Sequence, residues 1–371
     1  MKTTIRTKLG PALLGPALLL SLAASAGAAA QAPSAAPVFL SGNVTVWEQA
    51  GRPLADRIAA AAADFKLKKQ GAAFFVAYVF PCRHKIHHHG KCGSAGPFVV
   101  EVDDNEIEFE HRGRGESWET KDGKAPAGLL ALCSSAAGEP RFEDVKLLDT
   151  EDIYEFKSLP VYWLGSVPVD DSLGLLEKEF ERGSSELQES GLFVISAHDS
   201  PKAYDFLKSV ALGSYRRDVR KNAVFWIGAA KDPRAVADLK SILAKSGDGD
   251  LREQAVFALS IHGSREALEE LLDLAKSAPD REVRKKAIFW LGQKASEEAV
   301  RGLKEIVEGP DEDVKESAVF AISQLPKQRS VPMLIDIAKG NKSPSVRKKA
   351  LFWLGQTGSE EAVKLFEEIL L

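Results

Sequence analysis

LQESGLFVIS (187–196), VRKNAVFWIG (219–228), LREQAVFALS (251–260), VRKKAIFWLG (283–292), VKESAVFAIS (314–323) and VRKKALFWLG (346–355) are variants of one decapeptide. The phenylalanine in seventh place falls at Phe193, Phe225, Phe257, Phe289, Phe320 and Phe352, at intervals of 32, 32, 32, 31 and 32 residues. Self-similarity at such a period marks a repeat architecture. A fragment, PVYWLG (160–165), sets Tyr162 in the same register, 31 residues before Phe193. It is read as a seventh, degenerate first copy, with Pro160 in the first turn of a short helix.

Each copy reads as two helices. In the first, Val or Leu at position one, Ala at five and Leu or Ile at nine share one face at 100° per residue. The second helix follows a polar turn and a capping residue: Ser200 before Pro201, Asp232 before Pro233, Ser264, Ser296 and Ser359. Ser and Asp accept from the free amides of a first turn, and Pro suits the first helical position. Such a hairpin cannot bury both its faces alone, so the copies are expected to stack over a continuous core. The pattern V-R-x-x-A-x-x-x-L-G followed by a capped amphipathic helix resembles the HEAT repeat, in particular the short bilin-lyase-like class, over about residues 154–371. The resemblance implies an α-solenoid, a fold used mostly to bind other macromolecules.

A longer period of about 63 residues lies on top of the shorter one. Position eight alternates large and small: Trp163, Val194, Trp226, Ala258, Trp290, Ala321, Trp353. Position ten alternates Gly and Ser, and position three alternates Glu189, Lys221, Glu253, Lys285, Glu316, Lys348. Neighbouring first helices are expected side by side, each Trp slotted against a small residue in the core and each Glu facing a Lys. The seventh and third positions flank that core. Phe225, Phe289 and Phe352 beside Lys221, Lys285 and Lys348 are therefore a candidate partner-binding ridge; the alternative is packing against neighbouring first helices.

The amino-terminal half follows a different grammar. Residues 1–30 carry Lys2, Arg6 and Lys8, an apolar run from Leu9 to Leu22, and a small-residue cleavage site at Ala28–Ala30, the pattern of a signal peptide. An exported protein, periplasmic or secreted, is expected. Residues 31–37 read as a linker, 38–150 as a small α+β domain and 151–371 as the solenoid. Strands are expected at 43–49, 72–80, 97–103 and 106–111, and helices at 52–66 and 126–136. Glu108 and Glu110 fall on one face of an alternating strand; this is a candidate acid pair or the polar face of an edge strand.

Between Cys82 and Cys92 lie His84, His87, His88 and His89. In an oxidising compartment the two cysteines are expected to close a disulfide, unless Cys133 is the partner of one of them. The loop 82–92 is a candidate Zn or Cu site through its imidazoles. Against that stand the cations Arg83, Lys85 and Lys91 and the lack of any spacing that would fix ligands; the other reading is a solvated loop and no cofactor.

The formal charge of −4 over 371 residues argues against sequence-general nucleic-acid binding, and no later segment reaches the length of a membrane span. Motifs of catalysis are missing: no GxSxG, HExxH or P-loop occurs. Deoxyhypusine hydroxylases, which share such repeats, hold two irons with His-Glu dipeptides; here His198 and His262 precede Asp199 and Gly263. Bilin lyases share the short repeat, but no residue here specifies a tetrapyrrole pocket. The expectation is a non-enzymatic scaffold or adaptor for another protein, the alternative a metal-binding or sensing protein using the histidine loop. The last helix closes the sequence without a polar capping copy, which suggests a homodimer or a docked partner at that end; Lys364, Glu367 and Glu368 are the argument for a helix that stands alone.

Overall fold

The computed structural model describes residues 36–49, 51–68, 71–83, 85–88, 98–103, 106–110, 118–121, 125–134 and 139–370. These residues belong to one compact unit, Ala35–Leu371. Its first part is a sheet built from β1 (Leu40–Val46), β2 (Ala73–Cys82), β4 (Phe98–Asp103), β5 (Glu106–Glu110), β7 (Ala125–Ser134), β8 (Arg141–Leu148) and β9 (Tyr154–Ser166), with β3 (Lys85–His88) and β6 (Trp118–Lys121) as a separate pair. The order is β5-β4-β9-β2-β7-β8, with β1 alongside β9. Helix α1 (Leu54–Lys68) follows β1, as its alanine-rich sequence predicts.

The sheet is buried on both faces, which explains its unbroken apolar runs. Phe74, Val76, Tyr78 and Phe80 of β2 join α1 and the later helices in one core, while Phe75 and Ala77 join Val161, Trp163, Leu130 and Leu132 in another. Two expectations fail here. Residues 126–136 are not a helix: Ala125–Ser134 is β7, antiparallel to β2 with Cys133 opposite Phe74. A short apolar run has no period that distinguishes a buried strand from a buried helix. PVYWLG is not a repeat either. It lies in β9, where Val161, Tyr162 and Trp163 pair with both β1 and β2. Pro160 falls in the gap of the β1 register between Phe156 and Val161, where no ladder donor is needed. Gly42, at φ +86°, faces that irregularity; a Cβ there would meet Phe156 O at 2.3 Å.

The helical part therefore begins with α2 (Val169–Arg182), not at residue 151. Six hairpins follow. Their first helices are α3 (Ser185–Ser196), α5 (Arg217–Ala229), α7 (Gly249–His262), α9 (Arg281–Lys294), α11 (Glu312–Ser323) and α13 (Pro344–Thr357). Their second helices are α4 (Pro201–Leu212), α6 (Ala235–Lys245), α8 (Arg265–Ser277), α10 (Glu297–Glu308), α12 (Lys327–Gly340) and α14 (Glu360–Leu370). The expected caps hold: Ser264 Oγ accepts from Ala267 N at 3.1 Å, Ser296 Oγ from Ala299 N at 3.2 Å and Ser359 Oγ from Ala362 N at 3.2 Å. Asp232 accepts from Arg234 N at 2.9 Å, and α6 starts one residue later.

Position two of the decapeptide ties each copy to the one before. Gln188 Nε2 donates to Phe180 O (3.2 Å), Arg220 Nε to Ala211 O (3.1 Å), Arg252 Nη1 to Ser246 O (2.8 Å), Arg284 Nη1 to Ala278 O (2.6 Å) and Arg347 Nη1 to Asn341 O (2.7 Å). Each closes a free carbonyl at the end of the preceding helix, where a cation also meets the helix dipole.

The sheet and the hairpins share a core. Arg83 N, just after β2, donates to Ala197 O at 2.9 Å, and its Nη1 donates to Ala230 O at 3.1 Å. His198 is fully buried, stacked on Phe80 with ring centres 4.0 Å apart. Its Nδ1 lies 2.9 Å from Val194 O and its Nε2 2.8 Å from Ser172 Oγ, which is 2.9 Å from Tyr78 OH.

Candidate partner-binding face on the first helices

The first helices stack side by side, and their alternating residues meet in a way the helical wheel did not predict. The small residue of one copy faces the glycine of its neighbour: a Cβ at Gly228 would stand 2.6 Å from Ala258 O, and one at Gly292 2.9 Å from Ala321 Cβ. Glycine lets the two backbones approach. Trp226, Trp290 and Trp353 are consequently not slotted into the core but half-buried at its edge. Each leans on the phenylalanine of the preceding copy. Trp226 stacks on Phe193 at 5.1 Å, Trp290 packs on Phe257 at 4.7 Å and Trp353 on Phe320 at 5.1 Å. The adjacent rings Phe225, Phe289 and Phe352 meet the same tryptophans edge-on at 4.8, 5.0 and 5.0 Å. The result is an aromatic ladder along the first-helix face.

The charge ladder is also displaced by one residue. Glu253 pairs with Lys286 at 2.8 Å and Glu316 with Lys349 at 3.7 Å, so position four supplies the cation across the seam. Lys285 turns instead to Glu282 of its own helix, at 3.0 Å. Lys221 and the exposed Lys348 have no ion-pair partner among the described residues.

Three adjoining cavities, of about 670, 490 and 450 Å3, follow this face. Lys221 and Gln254 line the first two; Lys285, Ser317 and Phe320 line the last two. Of the six residues expected at a partner-binding ridge, Phe289 and Phe352 are open to solvent (37% and 54%) and Phe225 is half-buried, stacked on Phe257 at 6.0 Å. The structure thus places five of the six along one surface with these cavities or beside their lining rings, and Lys348 on the same helix as Phe352. Sequence reasoning missed Phe257, Phe320 and Gln254 as parts of it, although the same seventh position and its neighbours announce them.

The other candidates fare differently. His84, His89 and Cys92 lie outside the described residues. His87 and His88 are on β3, paired in register with Glu119 and Trp118, and their side chains lie outside the description, as do those of Glu108 and Glu110. Among the described residues no group of three or more His, Cys, Asp or Glu could hold a metal ion. A Cys82–Cys133 bridge is excluded: Cys133 pairs with Phe74, eight residues along β2 from Cys82 and about 26 Å away at strand rise. Cys133 is buried, and burial raises its thiol well above the ordinary value, the opposite of an activated nucleophile. Ser172 and His198 form a hydrogen-bonded pair that sequence reasoning did not find, but both are fully buried and the third member is Tyr78, not a carboxylate. Burial lowers His198 to about 4, so its ring is neutral.

The profile of HEAT repeats matches residues 204–292, 268–339 and 300–371. No curated protein matches the chain. Among solved structures, human deoxyhypusine hydroxylase in complex with glycerol is similar at 17% identity, over 53% of this chain and 77% of that one, with a TM-score of 0.24. The complex of CpcE and CpcF of phycocyanin lyase from Nostoc sp. PCC7120 is similar at 19% identity, over 42% of this chain and 99% of that one, with a TM-score of 0.31. Both are named as enzymes, so the expectation that a chain of such hairpins is not an enzyme is withdrawn. The repeat itself is established: the hairpins of residues 204–371 are HEAT repeats, stacked as an α-solenoid suited to protein interaction.

Proposed function

We propose that this protein is an exported scaffold that docks a protein partner on the aromatic face of its first helices. One observation carries the reading. The seventh-position rings and the tryptophans form a continuous half-open ladder, with Phe289 and Phe352 exposed and three cavities beside them. Aromatic rings bounded by polar and charged groups are the composition of protein-binding hot spots. A buried core residue would not be left open, and a solvated face would not carry two large rings at the repeat interval. Export rests on the signal-like residues 1–30.

The test is site-specific photocrosslinking in the native host. A benzophenone side chain is placed at positions 289 and 352, and at 269 and 301 on the exposed second helices α8 and α10. Adducts with another protein are expected from 289 and 352 only. Equal adducts from both sets, or adducts from the second helices alone, would overturn the reading. Amino-terminal sequencing of the exported fraction is expected to begin near Gln31; a mature chain retaining Lys2 would remove the export part.

A further inference from the structure

We propose that the seam of α10, α11 and α12 is a binding site for a guanidinium group, in the place where other copies seat their own arginine. Comparison of the six copies carries the argument. In five, the residue at position two donates back to a carbonyl at the end of the preceding helix. In α11 that residue is Lys315, which is 7% exposed and pairs with Glu312 of its own first turn instead. A lysine has three donors on a point charge, whereas arginine has five in a rigid plane.

A cavity of about 640 Å3 lies against Lys315. Its walls include Glu308 and Gly309 at the carbonyl end of α10, and Met333, Asp336 and Ile337 of α12. The same seam interrupts a second pattern. Beyond their first turns, successive second helices are joined by Lys208–Asp238 (2.7 Å), Lys240–Glu270 (2.6 Å), Lys276–Glu305 (2.5 Å) and Lys339–Glu368 (2.8 Å). Between α10 and α12 the ion pair is Arg329–Glu297, at the opposite, amino-terminal end. Glu308 and Asp336 are left without an ion-pair partner among the described residues, and both line the cavity.

The charges decide the ligand. Lys315 is offset by Glu312, and Lys304 and Lys342, which also line the cavity, are offset by Glu308 and Asp336. What remains is the carbonyl end of α10 with its partial negative charge. The group this fold sets at that position in α5, α7, α9 and α13 is a guanidinium. Met333 and Ile337 offer an apolar wall for the methylenes that carry one. The ligand is therefore an alkylguanidine, free or as an arginine side chain of a peptide.

Calorimetric titration of the full chain tests this with n-butylguanidinium, n-butylammonium and an acetylated glycine–arginine–glycine amide. The first is expected to saturate one site with a Kd of about 1 mM or tighter. The ammonium should bind at least about tenfold more weakly, because it lacks the planar fork. Peptide binding equal to that of the small compound assigns the site to a protein's arginine, and binding of the small compound alone assigns it to a free ligand. Lys315→Arg restores the repeat from within and should weaken binding at least about tenfold while Tm holds or rises. Should that variant fold poorly, Asp336→Asn removes a cavity carboxylate and is expected to weaken binding by a similar factor. No saturation, equal affinity for the ammonium, or unchanged binding in a folded variant overturns the proposal.

Discussion

Trp290 and Lys286 show which residues on the first-helix face hold it together. Trp290 touches Phe257 of the preceding copy at 4.7 Å and Phe289 of its own at 5.0 Å, and is half-buried. Trp290→Ala removes both ring contacts and leaves a partly collapsible gap; a loss of about 2–3 kcal/mol is expected, below the full cost for a core Trp. Lys286 meets Glu253 at 2.8 Å, but both side chains are well solvated (45% and 39%). Lys286→Ala should cost less than about 1 kcal/mol. Urea melts of the two variants check the order; equal losses would mean that the ladder of rings contributes no more than an exposed ion pair. Lys285, which the alternating charges single out, is the wrong lysine for this test, because its partner is Glu282 on the same helix.

At the scale of elements, the tenth position separates a packing glycine from an ordinary one. Gly228→Ala would drive a Cβ to 2.6 Å from Ala258 O and 2.8 Å from Ala258 Cα, both backbone atoms that cannot step aside. About 1–3 kcal/mol of destabilisation is expected, as α5 and α7 are forced apart. Gly355→Ala in α13 meets nothing nearer than Phe366 Cζ at 3.7 Å, and should be neutral or gain up to about 1 kcal/mol from helix propensity. Thermal melts of the pair test whether glycine is there for close approach. The repeat was legible in the sequence because a fixed interval of Phe, Ala and Val survives any uncertainty about helix ends. The orientation of the tryptophans was not, since a wheel drawn for one helix gives angles but no distance to the next. Residues 126–136 and 160–165 were misread for a related reason: in a strand buried on both faces every position is apolar, and alternation, the only local mark of a strand, disappears. The role of position two was also illegible, because its acceptors are carbonyls and carry no side-chain signature.

For the whole molecule, the shared core makes the sheet and the hairpins a single cooperative structure at their junction, and His198 makes that junction sensitive to acid. The imidazole is enclosed by Phe80 of β2, Val194 of α3 and, through Ser172, α2 and Tyr78. Both ring nitrogens are engaged, and Ser172 Oγ lies between Nε2 and the phenol. A protonated ring would carry two donors and a charge into this apolar site. Burial accordingly lowers its value from 6.5 to about 4 in the fold. The unfolded chain therefore binds this proton first. Stability from the neutral ring is complete above about pH 6.5, falls as pH drops from about 6.5 to about 4, and is spent below that, a total of about 3 kcal/mol. Carboxylates held low by cationic partners, such as Asp218 beside Arg216 and Asp232 beside Arg234, lose their contribution in a more acid range. The measurement is urea unfolding at pH 7 and pH 4.5 for the wild type and for His198→Gln, which keeps a polar group but cannot titrate. The variant should start less stable at pH 7 and lose about 2–3 kcal/mol less than the wild type between the two pH values. Parallel losses in both proteins would show that the ring takes its proton at the junction without disturbing it.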